Sequence, residues 1–263
     1  MIQNTKPIES VEDYLKDIPS DAMLQRRVVY RGQSKDEPLV PSLFREGHAC
    51  AVEGYDWFSY ERTILRLFKA AGIPALLHKP DNDTDWIVLA QHHGVPTRIL
   101  DWSSNALHAL YFSVENCDES TDGVVWRGEF TRIRTKEYSM EELSSINNVE
   151  LYFPNHQDRR ITAQSGCVTF HPLPKENSEF DPFVPKSGLD LVPMKYIIPG
   201  KIKESILFRL DDLGVNAHSI YPDLDGLGSY IKHRIRRRLT VDTKFTFKRE
   251  IDPLGAAGDN VAT

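Results

Sequence analysis

Cysteine is scarce in this 263-residue chain: Cys50, Cys117 and Cys167 are odd in number, lie far apart and form no CxxC pair. That pattern excludes a disulfide framework and a paired-cysteine zinc cluster, and leaves structural thiols as the expectation. No stretch approaches the roughly 18 to 20 continuous apolar residues that cross a bilayer. The opening residues MIQNTKPIESVEDYL lack the basic-then-apolar pattern of a leader. A soluble, cytoplasmic protein without membrane contact is therefore expected. Positive charge is not in excess either. Lys and Arg number 32 against 38 Asp and Glu, a net charge of −6, which excludes non-specific coating of nucleic acid but leaves room for a local basic patch. P-loop, GxGxxG, nucleophile-elbow, HxH and HxxxH patterns are missing, as are internal repeats.

What is present suits a globular domain, since 40% of residues are hydrophobic and 27% charged, too apolar and too balanced for disorder. Ser10 ahead of Val11, Tyr14 and Leu15 reads as a short capped helix. Arg27–Gln33 reads as a strand stopped near glycine. From Tyr55 to Ala71, apolar residues recur at helical spacing with Glu61 as the polar exception, and Gly72 and Pro74 end the run. Asp81–Asp85 reads as a polar loop, whereas Trp86–Gln91 is too short for periodicity to decide between helix and strand. Ser103 or Ser104 is the expected cap of a helix through Ala106, Leu110 and Val114, which sets Asp101 beside a helix start. Strands are expected within Gly123–Ile133, Val149–Phe153 and Gly166–His171, and again at Met194–Ile198. The five prolines of Pro172–Pro193 mark a loop. A helix through Ile202–Leu213 ends at Gly214, and the turn Pro222–Gly226 leads into a last helix.

Four clusters can carry chemistry. In Tyr30-Arg31-Gly32-Gln33, an arginine at a strand end can grip an anion bidentately while glycine lets a ligand approach, or it can form a structural ion pair. His92 and His93 with Asp101 offer metal-ligand chemistry, but adjacent histidines on a strand point to opposite faces, so a hydrogen-bonded or substrate-contacting histidine is the stronger reading. Thr97 through Ser104 gathers hydroxyl, guanidinium, carboxylate and indole, suited either to a nucleotide or to capping and core packing. Asp223 and Asp225 can bind magnesium or simply shape a turn and cap. The run Lys232, Arg234, Arg236, Arg237 and Arg238 is either a nucleic-acid contact or a solvated helix face.

The ordered blocks Tyr30-Arg31-Gly32-Gln33, Leu89 through Ser103, Ala109-Leu110-Tyr111-Phe112, Gln164-Ser165-Gly166 and Tyr221 through Leu227 resemble the FRG domain family. The resemblance spans about Tyr30 to Ile231. The motif order is also similar, more loosely, to that of ADP-ribosyltransferases. It implies an α+β fold, a single mixed α/β domain with a split β core and flanking helices. The implied layout is a helical lead-in over 1–25, the domain over 26–240, and a C-terminal strand and frayed tail over 241–263. The implied activity is transfer of ADP-ribose from NAD to a macromolecule, nucleic acid and RNA foremost, by a toxin or anti-phage effector that an antitoxin or chaperone attends. Arg31, Asp101 and Gln164 would be catalytic. Tyr30, Arg31, Gly32, Gln33, His93, Thr97, Arg98, Trp102 and Ser103 would hold NAD, with no metal. The third-motif position holds Gln164 where a glutamate is usual, so Asp101, Asp223 or Asp225 would orient the acceptor. The alternatives are a silent nucleotide- or phage-protein-sensing module and a metal-dependent nuclease.

Overall fold

The computed structural model describes residues 4–19, 27–46, 56–76, 78–131, 133–154, 163–174 and 191–244. Its strands are β1 (Asn4–Pro7), β2 (Arg27–Gln33), β3 (Ile99–Ser103), β4 (Gly123–Phe130), β5 (Ile133–Arg134), β6 (Glu150–Tyr152), β7 (Gly166–Phe170) and β8 (Leu191–Ile198). They form one mixed sheet in the order β1-β8-β4-β2-β3-β7-β6-β5. Nine helices among the described residues flank it: α1 (Val11–Lys16), α2 (Ser42–Glu46), α3 (Trp57–Gly72), α4 (Asp83–His92), α5 (Ala106–Val114), α6 (Met140–Ser144), α7 (Lys203–Asp212), α8 (Ala217–Ile220) and α9 (Leu224–Lys244). This is the mixed α+β architecture expected from the sequence.

The sheet divides at its centre. β2 pairs with β4 along Arg27–Gln33 and β3 pairs with β7 along Ile99–Ser103. β2 and β3 share a single pair, Tyr30 with Ser103. Beyond it the strands part, and α5 packs directly on β2. A Cβ built on Gly32 would lie 1.9 Å from the Ala109 carbonyl oxygen, so only glycine permits that approach. The glycine of the Arg-Gly pair thus serves helix packing.

Each half has its own helical layer. Tyr30, Val28 and Val125 pack with Tyr14 of α1, Ala109 and Leu110 of α5 and Ile206 and Leu210 of α7. Ile99, Val168 and Phe170 pack with Leu65 of α3, Trp86 and Ile87 of α4 and Leu143 of α6. The opposite faces of the two halves share Val29, Leu100, Trp102, Trp126 and Phe130. There Trp102 meets Phe130 edge to face, with ring centroids 5.8 Å apart.

Several local expectations change. Trp86–Gln91 is helical, and Asp81–Asp85 is its cap and first turn, because Asn82 accepts the Asp85 amide at 2.9 Å. The run escapes periodicity because Trp86, Ile87, Val88 and Ala90 are all buried around the helix. Asn105, not Ser103 or Ser104, caps α5 by accepting the Leu107 amide. Asp101 is therefore a strand residue and not a neighbour of that helix start. The lead-in also joins the sheet, since β1 pairs in parallel with β8. Residues 241–244 continue α9 where a strand was expected, and 245–263, like Cys50 and 175–190, lie outside the described residues.

Glu61, the polar exception of α3, is buried, and so is Arg98 at 0% exposure. Arg98 Nε donates to both Glu61 carboxylate oxygens at 2.8 and 3.0 Å, Nη2 also pairs with Glu61, and Nη1 donates to the Leu143 carbonyl at 2.7 Å. One guanidinium thus ties α3 and α6 to the residue that precedes β3. Deleting one partner of such a pair strands a charge in the core. Glu61→Ala is expected to lower the unfolding free energy by about 3–5 kcal/mol, read from urea denaturation. A loss within the few tenths of a kcal/mol usual for surface changes would contradict this.

Candidate functional site

The split opens into a cleft of about 530 Å³. Arg31, one residue past the last β2–β3 pair, bridges its floor: Nη1 donates to the Asp101 carbonyl at 2.7 Å. The guanidinium so occupies the gap that a paired strand would fill. Its Nε is buried without a hydrogen-bond partner among the described residues, leaving a donor for an acceptor from outside the chain. Desolvation lowers the arginine's pKa, partly offset by Asp101 nearby, and the group stays cationic at ordinary pH.

The Asp101 carboxylate is exposed and faces the tip of α4. Gln91 Nε2 donates to its Oδ2 at 2.7 Å, and the Thr97 hydroxyl donates to Gln91 Oε1 at 2.5 Å. This chain fixes the amide's orientation, so Thr97, buried and away from the cleft wall, acts only through Gln91. Gln33 also lines the cleft, and its Oε1 accepts from the Trp126 indole at 2.6 Å.

Ser103 assembles the third block. Its hydroxyl donates to the Gln164 carbonyl at 2.7 Å, and Ser104 N donates to the Ser165 carbonyl at 3.0 Å. Ser165 takes a positive φ of 52°, the bend that turns Gln164 toward the cleft before β7 begins. Gln164 Nε2 in turn donates to the Ile220 carbonyl at 3.4 Å. The Tyr221 block is mounted in the same way: Asp223 Oδ1 accepts the Gly226 amide at 2.8 Å, and a Cβ on Gly226 would fall 1.9 Å from the Tyr221 carbonyl. Asp223 is thus a helix-start cap that seats Tyr221. Neither it nor Asp225 lines the cleft.

Of the residues assigned to NAD from sequence, Tyr30, Arg31, Gly32, Gln33, Trp102 and Ser103 line the cleft together with Asp101 and Gln164. Tyr30 and Trp102 are 4% and 3% exposed, and their rings belong to the cores behind it. Arg98 is a correction, because its guanidinium is spent on Glu61 in the core. His93 is another. His92 ends α4 and His93 caps it, with Gly94 at φ 73° closing the helix. His92 lines the cleft, whereas His93 packs on Phe68 with ring centroids 6.3 Å apart. The adjacent histidines are therefore a helix terminus, not strand residues on opposite faces. Among the described residues, no three His, Cys, Asp or Glu side chains converge as metal ligands.

Sequence reasoning left Gln91, Phe112, Glu115, Lys35 and Arg45 off the site, though all line the cleft, and His92, weighed from sequence as a substrate-contacting histidine, lines it as well. The basic run lies on α9, outside it. There Arg236 pairs with Glu204, Arg237 pairs with Asp211 and Asp212, and Arg234 donates to the Tyr230 hydroxyl. Lys232 is exposed, and the Arg238 side chain lies outside the described residues. Among the described residues, no helix is long and apolar enough to cross a membrane.

The family model for the FRG domain matches residues 26–122, from just before β2 to just before β4. Residues 26–122 carry an FRG domain. The matched FRG segment supplies Arg31, Gln33, Gln91, Asp101 and Ser103, while Gln164 and Tyr221 of the same cleft lie beyond it. No curated protein and no solved structure matches the chain.

Behind the FRG cleft, the Trp102 indole donates to the Thr169 hydroxyl at 2.9 Å, which sits 2.9 Å from His171 Nε2. Burial, aided by Arg31 and Arg98, pushes the His171 pKa down to about 3. The unfolded chain's histidine titrates near 6.5, so between those values the unfolded state binds the additional proton. Stability is expected to fall with pH across that window, at up to about 1.4 kcal/mol per pH unit. Urea midpoints between pH 7 and pH 4 should fall less steeply in His171→Gln than in the parent. Parallel curves would remove His171 as the cause.

Proposed function

We propose that this FRG protein transfers ADP-ribose from NAD to a macromolecule, with nucleic acid, RNA foremost, as the acceptor, in the manner of a growth-arresting toxin or anti-phage effector. The observation that carries this reading is the cleft at the Tyr30–Ser103 split, where Arg31, Asp101, Ser103 and Gln164 come together from three separate chain segments.

The cleft residues suit NAD. Arg31, with its unpartnered Nε, offers a fork for the pyrophosphate, and Lys35 and Arg45 add positive charge at the same cleft. Phe112 and Tyr221 offer ring surfaces to a base or to nicotinamide. Gln33 and Gln91 offer amide groups for the ribose hydroxyls and the carboxamide. In the reaction, the bond between ribose C1′ and the nicotinamide nitrogen breaks, its electron pair leaves with the ring, and C1′ bonds to the acceptor. Positive charge grows on the ribose as the bond breaks. The Asp101 carboxylate, oriented by Gln91, is the group to stabilise it. Gln164 suits hydrogen bonding to an acceptor base edge. Exposed Lys232 is the α9 cation best placed to meet a nucleic-acid backbone.

Incubating the purified chain with NAD labelled in its adenylate phosphate and with cellular RNA, DNA and protein is expected to label the RNA fraction. The label should be nuclease-sensitive, and Asp101→Asn should transfer about 10²–10³-fold more slowly. No label in any fraction, beside an active control transferase, would overturn transfer. Gln164 in place of a carboxylate favours a second reading, a nucleotide-sensing module without turnover. Saturable NAD binding in calorimetry with no label transfer would select it.

A further inference from the structure

Resting on the transfer reading, we infer that Glu115 is the carboxylate that takes the acceptor's proton, held for that role by the Tyr221 hydroxyl. Glu115 follows the last residue of α5 as its C-cap, in a last turn that carries no basic residue. A carboxylate there faces the negative end of the helix dipole, where cations are the stabilising choice. A residue that works against its local environment marks a functional position more often than a structural one. The surroundings agree. Glu115 lines the same cleft as Arg31, Asp101 and Gln164, and the Tyr221 hydroxyl donates to its Oε2 at 3.0 Å. The Tyr221 ring packs edge to face on Phe112 at 6.3 Å.

The Tyr221 block is built to hold that hydroxyl. Tyr221 N donates to the Ala217 carbonyl at 2.9 Å, Asp223 N donates to the Tyr221 carbonyl at 2.9 Å, and Asp223 caps the turn onto Gly226. The Tyr-Pro-Asp-Leu-Asp-Gly motif, which has no ligand of its own in the cleft beyond Tyr221, finds its use here. Although Glu115 is exposed at the rim, its carboxylate sits where desolvation raises its pKa, opposed by the Tyr221 hydrogen bond. A carboxylate tuned upward is the better proton acceptor near neutral pH. Tyr111 on α5 feels the charge of Glu115, and the cleft lining also carries the titratable groups Arg31, Lys35, Glu37, Arg45, His92 and Asp101.

In the step assigned, the acceptor's N–H or O–H proton passes to Glu115 as its lone pair forms the bond to C1′. The nicotinamide nitrogen keeps the electron pair of the broken bond and departs neutral. Asp101 stabilises charge on the ribose, and Glu115 moves the proton.

The test measures NAD binding and label transfer to RNA across pH 4.5–8.5, a window that starts about where an ordinary glutamate titrates and ends about two units above histidine, for parent, Glu115→Gln, Glu115→Asp and Tyr221→Phe. Glu115→Gln is expected to bind NAD as the parent does and to transfer about 10²–10⁴-fold more slowly, with the acid limb of the rate profile gone. Glu115→Asp should restore part of the rate. Tyr221→Phe removes a bond that favours the ionised form, so its acid limb should move to higher pH. Equal rates and profiles in parent and Glu115→Gln would overturn the role of Glu115 and leave transfer standing. Absence of transfer by the parent would overturn both.

Discussion

The close approach of α5 to β2, possible only because residue 32 is glycine, is the constraint from which the rest of the molecule follows. It seats α5 on β2 next to the point where β2 leaves β3 after one shared pair. A continuous sheet would have left no room between Arg31 and Asp101. With the strands parted, the Asp101 carbonyl needs a donor, and the Arg31 guanidinium provides it. The same separation exposes Gln91, Asp101 and Gln164 to one shared space. The cleft lies where the two strands part, and polar side chains line it.

The two halves stay aligned because each rests on a separate anchor. On the β2 side, Tyr14, Tyr30 and Tyr196 pack with α1, α5 and α7. On the β3 side, the Glu61–Arg98 pair joins helices α3 and α6 to the strand. A buried ion pair adds little net stability over an apolar core, but it fixes which helix meets which strand. That matters where β2 and β3 share a single strand pair and the halves otherwise meet through the core of Val29, Leu100, Trp102 and Phe130.

Much of this was legible in the sequence. Strands β2, β4, β6, β7 and β8, the capped α1 and the long α3 follow from periodicity and punctuation. The resemblance to the FRG family placed Arg31, Asp101, Ser103 and Gln164 in one site, and the fold brings them to one cleft. Other features were hidden for physical reasons. α4 is buried all round, so it has no polar stripe. Three consecutive capping residues, Ser103, Ser104 and Asn105, left the start of α5 ambiguous, and with it the place of Asp101. Arg98 sits in a motif full of ligand-like residues, and only the unexplained Glu61 on an apolar face hinted at its partner. Glu115 had a signal that went unused, an acidic residue at a helix end that ordinarily attracts a basic one.

Four of the bonds that assemble the cleft end on main-chain carbonyls: Arg31 on Asp101, Ser103 on Gln164, Ser104 on Ser165 and Gln164 on Ile220. A carbonyl is the same whichever side chain follows it. The bonds themselves ask nothing of the side chains at 165 and 220, which are limited instead by the positive φ of Ser165 and the core position of Ile220, and they are sensitive to how many residues lie between them. A single insertion or deletion between β7 and the Tyr221 turn would have to be absorbed elsewhere in the connection for the same carbonyls to return to the same donors.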